Sequence, residues 1–170
     1  SAADLGAVTA KTTGTVTLDN AQTISGSGAE LIAALKTNAA TLSAASNATV
    51  TGNVTAEVAG NIANVTDITA AFSGTITDTL ANLLNVGQTA ISDDYSNARA
   101  EDTDINVIIS DGTGTIDAAK LSLITAATTG TVTLQNAHTF TGTGAQLKAV
   151  LETDAVTAAA GSTANVGDAV

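Results

Sequence analysis

The sequence predicts a β-rich α/β repeat protein: a solenoid of three units, each with short strands and two short helices, forming one continuous structural domain. Three observations predict it. The first is internal identity. Leu5 to Val54 aligns without a gap on Leu121 to Val170, and 27 of those 50 positions are identical. The longest shared run, Thr12-Thr-Gly-Thr-Val-Thr-Leu18, returns as Thr128-Thr-Gly-Thr-Val-Thr-Leu134. The second is phase. The offset of 116 residues spans two units, because Thr69-Ala70 and Gly74-Thr-Ile-Thr77 match Thr9-Ala10 and Gly14-Thr-Val-Thr17. The units are therefore 1–60, 61–116 and 117–170, and long internal periods signal arrays. The third is composition. With two Phe, one Tyr and neither Trp nor Met, the core must come from Ala, Val, Leu and Ile. Such side chains suit thin stacked layers, in which each unit touches its neighbours.

Unit 1 opens with Ser1 as an N-cap, and Leu5 and Val8 lie three apart on one helical face. Unit 3 repeats this short helix from Asp117, with Leu121 and Ile124. Gly14 ends the helical stretch. Thr15-Val16-Thr17-Leu18 alternates β-branched and apolar residues, so it reads as a strand with Val16 and Leu18 facing inward. Asp19-Asn20-Ala21 is a turn, and Thr23-Ile24-Ser25 a second strand. Ser27 and Glu30 then form a capping box before Leu31, Ile32 and Leu35. Unit 3 keeps that box as Thr143 and Gln146, ahead of Leu147, Val150 and Leu151. Ala40-Thr41-Leu42-Ser43 and Thr49-Val50-Thr51 complete the unit as two more strands.

Unit 2 departs from this pattern. Its strand Thr75-Ile-Thr77 is intact, but the next is missing, and Leu80 and Leu84 take the places of Leu31 and Leu35. After Ile91-Ser92 comes an acidic insertion, residues 93–104, which holds the only Arg and the only Tyr. Insertions within repeats map to loops on one face, often the binding face. Asp93, Asp94, Glu101, Asp102 and Asp104 are the candidate metal ligands, because calcium takes six to eight oxygens. The EF-hand pattern and the glycine-rich calcium nonapeptide are both absent, and a solvated acidic loop is the competing reading.

Other candidates carry less. Thr15/Thr17, Thr75/Thr77, Thr131/Thr133 and Thr49/Thr51 form outward pairs that suit ordered water, docking of another copy, or plain β-propensity. His138, the single His, matches Gln22 in unit 1 and reads as a surface residue. No Ser-His-Asp constellation, phosphate loop or thiolate site is present, so no enzyme is expected. Gly26-x-Gly28 opens a helix but lacks the third Gly and the Lys. Asn47, Asn53 and Asn64 head formal glycosylation sequons.

A net charge of −11, with only five basic residues, disfavours nucleic acid and anionic membranes. No apolar run approaches the roughly 18 residues of a membrane span. Low charge density with 44% hydrophobic residues argues against disorder. Val170 sits at the phase of Val54, and Ser1 at the phase of Asn61, so both ends fall near one point of the period. The expectation is either an excerpt of a longer array or a processed subunit that stacks head-to-tail.

Ser1-Ala-Ala-Asp-Leu5, Thr12-Thr-Gly-Thr-Val-Thr17 and Gly26-Ser-Gly-Ala-Glu-Leu31 resemble tandem Ala/Thr/Gly-rich repeats of giant secreted cell-surface proteins of marine cyanobacteria. The resemblance covers nearly all of units 1 and 3 and the first third of unit 2; the acidic insertion lies outside it. It implies an extracellular or cell-surface structural role and brings no catalytic residues. The expected function is thus an extracellular structural repeat protein that self-associates head-to-tail into a filament, surface layer or long array. The alternative is a calcium-dependent adhesin segment that binds a surface or a glycan such as cell-surface polysaccharide.

Overall fold

The computed structural model describes residues 1–37, 40–65, 68–153 and 156–167. Val170 and its phase match therefore lie outside the described residues. Helix α1 (Ala2–Thr9) is capped by Ser1, whose hydroxyl accepts from Asp4 N at 3.2 Å and donates to Asp4 Oδ2 at 2.8 Å. That bond, with the nearby N-terminal ammonium, holds the Asp4 carboxyl below its usual range. Strands β1 (Thr17–Leu18) and β2 (Thr23–Gly26) follow, then α2 (Gly28–Ile32). Its capping box forms as expected: Ser27 N and Oγ donate to Glu30 Oε2 at 2.8 and 2.9 Å. The same contacts hold the Glu30 carboxyl low, the backbone bond first. A wider π-type turn, Ala33–Thr37, prolongs α2.

Next come β3 (Thr41–Leu42), β4 (Ser46–Val50) and α3 (Ala56–Ala63), then β5 (Ile68–Phe72) and β6 (Thr75–Asp78). Short α4 (Leu80–Leu83) precedes α5 (Asp93–Glu101). Strands β7 (Asn106–Ile109) and β8 (Gly114–Asp117) lead to α6 (Ala118–Thr125). The chain closes with β9 (Val132–Leu134), β10 (His138–Gly142), α7 (Gly144–Lys148) with its own π-type turn Ala149–Thr153, and β11 (Thr163–Val166).

The expected three-unit solenoid is overturned. The fold is mixed α/β, with eleven strands in four small parallel sheets and seven α-helices among the described residues. The sheets are β1-β3, β2-β4-β5, β6-β7-β9 and β8-β10-β11. Three equivalent units would carry the same ladder through the whole chain. Instead the ladder breaks in unit 2. Strands β5 and β6 are separated only by Ser73-Gly74, yet they belong to different sheets. Helix α3 spans the 60/61 boundary, and β8 the 116/117 boundary.

Helix α5 is part of the reason. The insertion expected as an acidic loop is a nine-residue helix over most of its length. Ser92 Oγ accepts from Tyr95 N at 3.3 Å, Asp93 and Asp94 sit in the first turn, and Arg99 in the last. Charges so placed oppose the helix macrodipole favourably. Tyr95 and Ala98, three apart, are its buried contacts. Packing on α3 requires Gly60: a Cβ there would lie 2.6 Å from Asp94 Cα.

The core runs through all four sheets and is built of small aliphatic side chains, among them Leu31, Val50, Ile76 and Ile109, each fully enclosed. Two local expectations fail at the start of the chain. Val8 is 57% exposed rather than core, and the first strand shrinks to two residues. Both follow from what covers unit 1.

Candidate functional site

Asp93 is exposed in the first turn of α5, and the other candidate metal ligands make contacts in different places. Asp94 faces a small polar cleft with Thr55, Glu57, Asp78 and Asn82. Asp78 is already engaged there, accepting from Ala56 N at 3.0 Å and from Asn82 Nδ2 at 2.7 Å. Glu101 and Asp102 turn the other way. Glu101 Oε2 accepts from Ala70 N at 3.4 Å, and Asp102 Oδ2 from Phe72 N at 2.9 Å. Both donors belong to β5, the edge of its sheet, so these carboxylates occupy edge N–H groups that would invite another strand. Asp104 is exposed, and its carboxyl is raised by hydrogen bonding to and repulsion from Asp102. Among the described residues no group of three or more His, Asp or Glu is placed to hold a metal ion.

His138 is not a surface residue. It is 3% exposed, and neither ring nitrogen has a hydrogen-bond partner among the described residues. It borders a cleft of about 360 Å³ with Asp111, Asp117 and Lys120. Its repeat equivalent Gln22 is exposed. The two positions make the same backbone bond, N–H to Ser162 Oγ and to Ser46 Oγ, each at 3.2 Å. What differs is cover. Strand β10 is central, with β8 beside it, whereas β2 is an edge. The outward threonine pairs do not lie in one sheet: Thr75, Thr77 and Thr133 share β6-β7-β9, Thr17 is in β1 and Thr49 in β4, while Thr15, Thr51 and Thr131 fall outside the strands.

That contrast extends along the whole repeat. Leu121 and Ile124 are fully buried, while the equivalent Leu5 is half-buried and Val8 mostly exposed. Val132 and Leu134 are 2% exposed; Val16 and Leu18, identical residues, are half-covered. The polar groups tell the same story. Thr128 Oγ1 donates to Ile105 O at 2.6 Å, and Thr129 N to Thr103 O at 3.0 Å. Thr131 N and Oγ1 donate to Asn106 Oδ1 at 2.8 and 2.7 Å, and Asn136 Nδ2 to Asp111 O at 2.7 Å. Every acceptor lies in the preceding segment, 103–111. The equivalent Thr12, Thr13, Thr15 and Asn20 are all exposed. Gly130 allows this approach, since a Cβ there would stand 2.3 Å from Asp104 O; at Gly14 it would meet only Thr12 Oγ1 at 3.4 Å.

The uncovered face of unit 1 forms a groove of about 450 Å³, bordered by Asp4, Leu5, Val8, Leu18, Asn20 and Ile24. The opposite end of the molecule shows the converse. Ala48 and Val50 of β4 are fully buried because β5 lies beside them. Their equivalents in β11, Ala164 and Val166, are exposed, Val166 by 49%. Each end thus presents a surface whose internal twin is buried. The repetition was legible in the sequence, but this asymmetry was not: the outward Thr and Asn of the shared run bind in unit 3, where 103–111 lies against them. Comparison with known proteins returns nothing: no family, no curated protein and no solved structure matches this chain.

Proposed function

We propose that this protein is an extracellular structural repeat protein that self-associates head-to-tail into filaments, a surface layer or a long array. One observation carries the reading. The Leu5–Leu18 face is uncovered while the same face, Leu121–Leu134, is buried within the chain, and the converse holds for Ala164 and Val166 against Ala48 and Val50. Two different, complementary end surfaces make a heterologous contact, which propagates unless the rotation closes. The cell-surface setting rests on the resemblance of the repeat to secreted cyanobacterial arrays. Light scattering and electron microscopy over a concentration series test the proposal. Elongated particles that grow with concentration are expected; a compact monomer at the highest concentration would overturn it.

A further inference from the structure

The internal ladders specify how two copies meet, given the head-to-tail reading above. Strands β1 and β3 pair Thr17 with Thr41, and β2 and β4 pair Thr23 with Asn47. In unit 3, Thr133 bridges Thr157, and β10 and β11 pair Thr139 with Thr163. All four pairings are parallel, and Thr17/Thr23, Thr41/Asn47, Thr133/Thr139 and Thr157/Thr163 are each six residues apart. On their other sides, β9 and β10 already receive strands. Ile108 lies beside Thr133, and Thr115 beside Thr139. Strands β1 and β2 are the repeat equivalents of β9 and β10, and no strand among the described residues pairs with those sides of β1 and β2.

We infer that the occupant is the Thr157–Val166 end of a second copy, set parallel with Thr157 beside Thr17 and Thr163 beside Thr23. Because the six-residue spacing is shared, one rigid placement satisfies both ladders. The side chains match too. Ile24 already has Ala48 opposite it and would gain Ala164 on its free side; Gly26 has Val50 and would gain Val166. The hydroxyl pair Thr139 Oγ1–Thr163 Oγ1, at 3.1 Å, would continue into Thr23 of the next copy. The carboxylates of Glu101 and Asp102 on β5 remove a competing edge from the same sheet as β2.

The chain has no Cys, so introduced thiols report single contacts. Thr23→Cys and Thr163→Cys proteins are mixed under mild oxidation, as are Thr17→Cys and Thr157→Cys proteins. The out-of-register controls are Ser25→Cys with Thr163→Cys and Asn20→Cys with Thr157→Cys. All of these positions except Ser25 lie on threonines or turn residues that are exposed, and Ser25 is exposed as well, so folding is checked by circular dichroism rather than assumed. Mixed disulfide dimers in both in-register pairs, at least tenfold above the controls, are the expected result. Filaments with equal or greater cross-linking in the controls, or with Thr23–Thr23 and Thr163–Thr163 dimers dominant, would overturn the register while leaving head-to-tail assembly standing. Absence of any assembly by scattering would overturn both.

Discussion

Residue by residue, the repeat offers its own controls. Ala45 has φ 67°, a left-handed conformation that costs an L-residue about 1–2 kcal/mol. Its equivalent in unit 3 is Gly161, with φ +87°, where the conformation is free. Ala45 is exposed, so no packing is lost by removing its methyl. Ala45→Gly should raise the unfolding free energy by about 1 kcal/mol in urea melts, and an unchanged or lower midpoint would contradict the strain. Tyr95 gives a second case. Burial pushes its phenol up to about 12, with the Arg99 charge opposing, and its hydroxyl has no partner among the described residues. The folded value lies above the unfolded one, so this contribution is intact below pH 10 and falls as pH climbs from 10 toward 12. The fall amounts to roughly 3 kcal/mol at full ionisation. Tyr95→Phe should flatten that alkaline limb, since Tyr95 is the only tyrosine. Superimposable pH profiles for the two proteins would contradict it.

Secondary-structure elements separate what short-range chemistry decides from what neighbours decide. The capping boxes of α2 and α7 were legible, because Ser27 with Glu30 and Thr143 with Gln146 need nothing beyond four residues. Helix α5 was legible in principle, through Ser92, Tyr95 and Ala98 at three-residue spacing, although five carboxylates in an insertion favour a loop. The partition into four sheets was not legible, since pairing partners lie 22 to 31 residues apart. His138 escaped for a related reason: equal sequence positions receive unequal cover. The carboxylates on β5 supply the prediction at this scale. Asp102→Ala leaves Phe72 N–H without its acceptor and should cost about 1–2 kcal/mol. Asp102→Asn keeps a carbonyl acceptor and should recover part of the loss. Amide exchange at Phe72 and melting of both variants check this, and equal stability of wild type and Asp102→Ala would refute it.

For the whole molecule, charge opposes assembly. The net charge of −11 is shared by every copy, and Asp4 and Asp19 flank the groove at one end. Screening shortens this repulsion to about 8–10 Å near physiological salt. Moving from 10 to 150 mM sodium chloride, about a fourfold change in Debye length, should lower the concentration at which scattering detects assembly. An assembly that weakens with added salt would point to an ion-paired contact instead of strand pairing.

The parallel ladders also govern time. Every ladder among the described residues is parallel, and the Leu84–Ile91 bridge is the single antiparallel contact. Apart from that short Leu84–Ile91 turn, no hairpin among the described residues is available to start the chain off. A strand must wait until its partner, at least 22 residues later, has been delivered across an intervening helix or turn. Non-local pairings of this kind slow the search for the native state. A newly made chain consequently spends its longest interval with strands displayed and unmatched, while neighbouring copies offer the same strands in the same orientation.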